Sequence, residues 1–182
     1  MKRHLKSPQR VVHIFVRSLS AQATRGFLTF GNLRLACALG RSGRRAIKRE
    51  GDGATPIGNF ALRRVLYRAD RVSRPRTLLP VSRIRALDGW CDEPRDRNYN
   101  RPVCHPYPTS AEHLWRHDHL YDLIVIMGHN DVPRVKFAGS AVFMHVAESG
   151  MAPTAGCVAL RRRDLMRLLT LVSRRTRVRL CV

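Results

Sequence analysis

The chain has 182 residues, 44% of them hydrophobic and 26% charged, and its 34 Lys plus Arg against 13 Asp plus Glu give a formal charge of +21. That length and apolar content fit one domain with a buried core and exclude a disordered segment, and no apolar run approaches the roughly 18 residues of a membrane helix. The charge attracts polyanions without dictating a fold, and scattered runs such as "GRSGRR" without a nucleic-acid module signature argue against nucleic acid as the primary partner.

Residues 1–9 read as a basic tail and residues 10–182 as the domain. The tail begins like a signal peptide, but His13 and Arg17 break its apolar stretch and no cleavage site follows, so export is not evident. "VVHIFVRSL" and "GFLTFGNLRLACALG" are apolar segments expected to form an antiparallel hairpin. "GDGATPIGNFALRRVLYR" packs glycine and proline ahead of an alternating stretch, which predicts a turn and then a strand. A phosphate-cradling loop is disfavoured there because no GK[ST] and no helix pattern follow.

Residues 69–110 show no sustained period and are expected to be a long irregular excursion. "SAEHLWRHDHLYD" predicts a short helix capped by Ser110, and "YDLIVIMGHND" and "SAVFMHVA" predict buried strands. Leu165, Leu168, Leu169 and Val172 recur at helical spacing, and Val178, Leu180 and Val182 share one face of a closing strand. About six strands and two short helices, without strand–helix alternation, predict a mainly β domain.

The five cysteines, an odd count without a CxxC pair, leave at least one thiol free in the monomer. In "FMHVAESGMAPTAGCVAL", His145 ends a strand and Cys157 follows twelve residues later across a segment holding Gly150, Pro153 and Gly156. The chain can fold back there and bring imidazole and thiol together. A base within reach of a thiol generates the thiolate needed for attack, and amides around Gly156 and Cys157 are candidates to hold an oxyanion. That pair suggests acyl transfer through a thioester, although a buried thiol and a satisfied strand histidine give the same spacing.

"HVAESGMAPTAGCVAL" resembles the signature of the L,D-transpeptidase catalytic domain (YkuD-type), in which a strand histidine precedes Ser/Thr-His-Gly-Cys, and "GDGATPIGNF" resembles that family's Thr-Pro-x-Gly segment. The resemblance covers about residues 10–182 and implies a YkuD-like β-sandwich core with a few short helices. It implies Cys157 as nucleophile, His145 as base held by a nearby backbone carbonyl, Gly156 as part of the oxyanion site and Thr154 as the residue ordering the turn. It also implies peptidoglycan stem peptides as donor and acceptor, carbapenem-class β-lactams as covalent inhibitors, and no cofactor or metal. The substrate implies the cell envelope or periplasm. By the same resemblance His129 and Asn130 of "MGHND" lie near the site as candidate substrate contacts.

Two positions depart from the family pattern: Ala155 replaces its His and Ala159 its Arg, which removes a forked donor suited to carboxylates. A family branch with alanine there is linked to 1,3 cross-links, so 1,3 as well as 3,3 linkage follows from the resemblance. Two readings from other classes stand beside it. One is a zinc site built on His113 and His117, four apart on the expected helix, with His119, His105, Cys104 and Cys91 nearby. The other is a non-catalytic basic module for envelope polymer or nucleic acid.

Overall fold

The computed structural model describes residues 11–181, so the basic tail and Val182 lie outside it. Strands β1 (Val12–Arg17), β2 (Arg25–Phe30) and β3 (Leu33–Ala38) form an antiparallel meander. The expected hairpin of the first two segments is present, but "GFLTFGNLRLACALG" is two strands and not one. Phe30 faces Leu33 across Gly31 and Asn32, and Gly31 takes φ 55°, the positive value a two-residue hairpin turn requires.

Short parallel strands β4 (Arg44–Arg45) and β5 (Thr55–Pro56) frame the glycine-rich turn, and the ten-residue β6 (Gly58–Tyr67) follows as expected. The stretch after it is less irregular than its sequence suggested: β7 (Val81–Arg83), β8 (Asp88–Cys91) and β9 (Pro102–Cys104) precede β10 (Ala111–His113). Then come β11 (Leu123–Met127), β12 (Phe143–Val146), a 3-10 turn at Ser149–Met151, β13 (Val158–Leu160), helix α1 (Arg162–Leu169) and β14 (Thr176–Leu180).

The main sheet runs β11-β12-β13-β3-β2-β1-β14-β6-β7, and β11 also pairs with β6. The length of β6 makes this closure work: residues 58–61 pair with β14, whereas residues 62–67 pair with β11. The result is a mainly β sandwich closed on itself like a barrel. Strands β10, β8 and β9 form a separate small sheet.

All five residues of β11 are buried because both its faces are covered. Leu123, Val125 and Met127 join Met144, Leu160 and the α1 residues Leu165, Leu168 and Leu169 in the main core. Ile124 and Ile126 point the other way, joining Phe143, Trp90, Tyr121 and Cys157 in a second apolar cluster on the side of the small sheet. Cys157 therefore sits on the outer face of the barrel wall, under the excursion.

The helix expected from Ser110 does not form. Glu112 pairs with Trp90 in the β10–β8 ladder. Beyond it the carbonyls that a helix would use internally are taken by two arginines: Arg68 donates to the Arg116 carbonyl at 2.7 Å, and Arg71 donates to those of Asp118 and His117. The guanidinium of Arg68 lies 3.6 Å over the Trp115 ring and fixes the same bend. His113 and His117 consequently share no helix face. His113 stacks instead on His105, centroids 3.6 Å apart, and no group of three or more His, Cys, Asp or Glu among the described residues is placed to hold a metal.

Candidate active site

Parallel strands β12 and β13 are in register with Met144 opposite Val158 and His145 opposite Ala159. Side chains alternate along a strand, so Phe143 and His145 share one face of β12, while Cys157 and Ala159 share the same face of the neighbouring segment. Cys157 and His145 are thus diagonal neighbours on one face. Tyr121 packs edge-on against both residues of β12, with ring centroids 6.1 Å from Phe143 and 5.4 Å from His145. Folding back through the Gly150–Gly156 segment produces the juxtaposition that the sequence suggested.

The hydrogen bond that orients the histidine comes from backbone. Its Nδ1 lies 2.8 Å from the Val146 carbonyl. A carbonyl can only accept, so Nδ1 carries the hydrogen and a neutral ring keeps its basic lone pair on Nε2. His145 is 6% exposed, and burial lowers its pKa to about 4.

Cys157 is also buried, 7% exposed, and burial first, with Glu112 second, raises its thiol to about 12. Sγ donates to the Ala141 carbonyl at 3.3 Å and accepts the Phe143 N–H at 3.3 Å. At neutral pH both partners are uncharged, and the resting thiol proton is directed at Ala141.

Two hydroxyls position the Cys157 backbone. Thr154 Oγ1 donates to the Cys157 carbonyl at 2.8 Å and Thr55 Oγ1 donates to the same oxygen at 3.2 Å. Thr154 Oγ1 also accepts the Gly156 N–H at 3.2 Å, as Thr55 Oγ1 accepts that of Gly40 at 2.7 Å. The glycine-rich turn and the cysteine motif, a hundred residues apart in the chain, meet at this one carbonyl. Gly156 has φ 136°, and a Cβ there would lie 2.9 Å from the Ala54 carbonyl oxygen, so the position requires glycine. With its own N–H given to Thr154, Gly156 contributes backbone shape.

His129 and Asn130 lie at the end of β11, and their polar groups are engaged locally. His129 Nε2 is 2.9 Å from the Ala138 carbonyl, and burial lowers its pKa. The Asn130 amide donates to the carbonyls of Val135 and Gly139 and accepts the Val135 N–H, closing the loop that follows. Ala155 is exposed at the tip of the cysteine turn, whereas Ala159 is 1% exposed and directly opposite His145. Arg161 is exposed. The guanidinium that acts on His145 electrostatically belongs to Arg116, which lies 5.1 Å over the Tyr121 ring.

Several contributors carried no signal in the sequence. Asn100, buried at 6%, accepts the Trp90 indole N–H at 2.9 Å and the Ala141 N–H at 3.1 Å, and it donates to the carbonyls of His129 and Asn130. Glu112 accepts the Tyr121 hydroxyl at 2.6 Å. Lys48 and Asp52 form a buried ion pair, with the Lys48 methylenes beside Gly156. Asn100 and Glu112 depend on chain pairings that no local pattern reveals, whereas Lys48 and Asp52 are four apart and only their burial was hidden.

No curated protein matches the chain. The L,D-transpeptidase catalytic domain, YkuD, matches residues 13–180, from the first strand through the last, and the chain belongs to that family.

Proposed function

We propose that the chain is a cysteine-dependent L,D-transpeptidase of peptidoglycan stem peptides, with Cys157 as nucleophile and His145 as base. The observation that carries this reading is the Nδ1 bond to the Val146 carbonyl, which puts the basic lone pair on Nε2 in a ring that shares its face with Cys157. As the thiol proton leaves the Ala141 carbonyl for Nε2, Sγ bonds to the peptide carbonyl carbon of the donor stem. The Cys157 amide is our candidate donor to the oxyanion. Collapse breaks the C–N bond, and the imidazolium returns its proton to the departing amine, leaving a thioester.

An acceptor amine then attacks the thioester carbon and loses its proton to His145, while Sγ leaves and is reprotonated. Water in place of the amine gives trimming. Thr154 and Thr55 hold the nucleophile's carbonyl through both steps, and His129 and Asn130 contribute a wall of the site through the loop they brace. No metal or organic cofactor enters this scheme. Carbapenem-class β-lactams acylate Cys157 by the same first step, and the protein works on the envelope side where its substrate lies. No helix among the described residues is long and apolar enough to cross a membrane.

Mass spectrometry of wild-type and Cys157→Ala protein incubated with disaccharide tetrapeptides tests the reading. Cysteine-dependent dimers are expected, with loss of terminal D-alanine marking a 3,3 link and loss of the diaminopimelate–D-alanine dipeptide marking a 1,3 link. Folded wild-type protein that yields neither dimers nor trimmed peptides would overturn it.

A further inference from the structure

A cleft of about 1070 Å³ opens between the main sheet, at β6, β7 and β11, and the small sheet, at β8 and β9. Its floor is the outer surface of the second apolar cluster: Leu66, Ile84, Trp90, Ile126 and Phe143, all below 10% exposed. Around it stand Arg64, Arg83, Arg85, Arg101 and Arg134. The cleft's carboxylates are already engaged: Asp70 by Arg68 at 2.6 Å, Asp131 by Arg63 at 2.7 Å, and Asp88 by the Arg85 backbone N–H at 2.8 Å. Among the described residues none of those five arginines has a side-chain hydrogen bond or an ion pair.

Cys157 does not line this cleft. It lies immediately behind it, because Phe143 forms part of the floor and donates its N–H to Sγ, and Asn100, also in the lining, holds the Ala141 segment. Uncompensated guanidiniums around one concavity repel each other until an anion enters, and a low-dielectric floor strengthens that attraction. The chemistry called for is several carboxylates on a slender, partly apolar chain. Nucleic acid fits poorly, since Trp90 and Phe143 are packed edge-to-face at 5.2 Å and present no open ring for a base to stack on.

We infer that this cleft, which adjoins the Cys157 site, binds an acidic peptide chain, with its carboxylates on Arg83, Arg101 and Arg134 and its apolar parts over Trp90 and Phe143. The assignment rests on the function proposed above for the same site. It gives that site a carboxylate-reading element distinct from the motif arginine, which this chain lacks at Ala159.

The test uses Cys157→Ala protein and fluorescence anisotropy of a labelled tetrapeptide stem with free carboxylates. Replacing Arg83, Arg101 and Arg134 together by Gln is expected to weaken binding about tenfold or more, as is amidation of the peptide carboxylates. Replacing Arg162, Arg167 and Arg174 by Gln removes the same charge elsewhere and is expected to change binding less than about twofold. Equal weakening by both triple variants, or none by either, would overturn the cleft and leave only the general field of a basic protein.

The two sources of such a peptide separate kinetically in the otherwise wild-type background. A donor in the cleft shows as a raised KM for acyl-enzyme formation without acceptor; an acceptor shows as a raised acceptor KM with acylation unchanged. Neither change would also count against the assignment. Loss of the parent reading is distinguishable, because a wild-type protein without cysteine-dependent acyl transfer can still bind the acidic peptide through these arginines.

Discussion

The Asn100 side-chain oxygen accepts the Ala141 N–H at 3.1 Å, and the carbonyl of that same alanine is the group to which Cys157 Sγ donates at 3.3 Å. Both residues have positive φ, 55° and 50°, a region that side chains other than glycine seldom occupy. The bonds of Asn100 to Trp90, His129 and Asn130 therefore hold a strained entry to β12 against which Cys157 is seated. Asn100→Ala is expected to lose on the order of 3 kcal/mol in urea unfolding, since each buried polar group left without a partner costs about 1–3 kcal/mol. Carbapenem acylation of Cys157 should slow at the same time. Unchanged stability would show that the hub restrains nothing.

Burial drives Cys157 and His145 in opposite directions, to about 12 and about 4, and both shifts favour the neutral forms. Alkylation of Cys157 by iodoacetamide is accordingly expected to rise about tenfold per pH unit from pH 6 to 9 without a plateau. A plateau near neutrality would mean a preformed thiolate–imidazolium pair. The stability signs follow from linkage. A histidine depressed from 6.5 to about 4 binds fewer protons folded than unfolded, so its contribution is complete above 6.5 and is lost as pH falls toward 4. A thiol raised above its ordinary 9.0 makes the fold lose stability as pH climbs from 9 toward 12. His145→Gln should flatten the acid limb, and Cys157→Ala the alkaline one.

Glu112 is the second cause of the raised Cys157 thiol and is tied to Tyr121 through its hydroxyl. Glu112→Gln keeps an acceptor for Tyr121 and removes the negative charge that opposes a thiolate. Cys157 is expected to alkylate faster in this variant at every pH between 7 and 9. Slower or unchanged alkylation would mean that the carboxyl is already neutral there.

The mainly β character, the first hairpin, α1 and the chain return between His145 and Cys157 were legible because each rests on short-range pattern: alternation, helical spacing, or glycines that let a loop return; roles for the two side chains came only from the family resemblance. The second turn carries its own signal in the Gly31–Asn32 pair, which was overlooked because the apolar runs on both sides were read as one segment. The false helix at 110–122 shows a different limit. Its residues have adequate helix propensity, but Arg68 and Arg71, some fifty residues earlier, take its carbonyls. Long-range partners likewise define Asn100 and Thr55, whose roles become visible only where separate strands meet at Ala141 and at the Cys157 carbonyl.

The meeting at that carbonyl makes a graded prediction. Thr154→Val keeps shape while removing both the donor to Cys157 and the acceptor for the Gly156 N–H, whereas Thr154→Ser keeps both. The valine variant is expected to lose about 1–3 kcal/mol of stability. Its acylation rate should fall about tenfold or more, because a misplaced nucleophile loses the alignment that attack requires. Serine should restore most of that rate, and equal rates for valine and serine would remove the hydroxyl from the account.

Gly156→Ala tests the turn itself. At φ 136° a side chain is strained, and the added methyl would lie 2.9 Å from the Ala54 carbonyl oxygen, a backbone atom. Ala54 cannot retreat easily: its N–H is held at 2.9 Å by Asp52, which is itself paired with buried Lys48. The strain must therefore fall on the cysteine turn, at about 1–3 kcal/mol for a residue in so sparse a region. The variant is expected to fold with a lowered Tm and to lose most covalent uptake of a carbapenem, measured by intact mass. Since the sulfur is still present, denatured protein should titrate the same number of thiols as wild type. Full carbapenem uptake by Gly156→Ala would mean that the turn geometry does not govern reactivity.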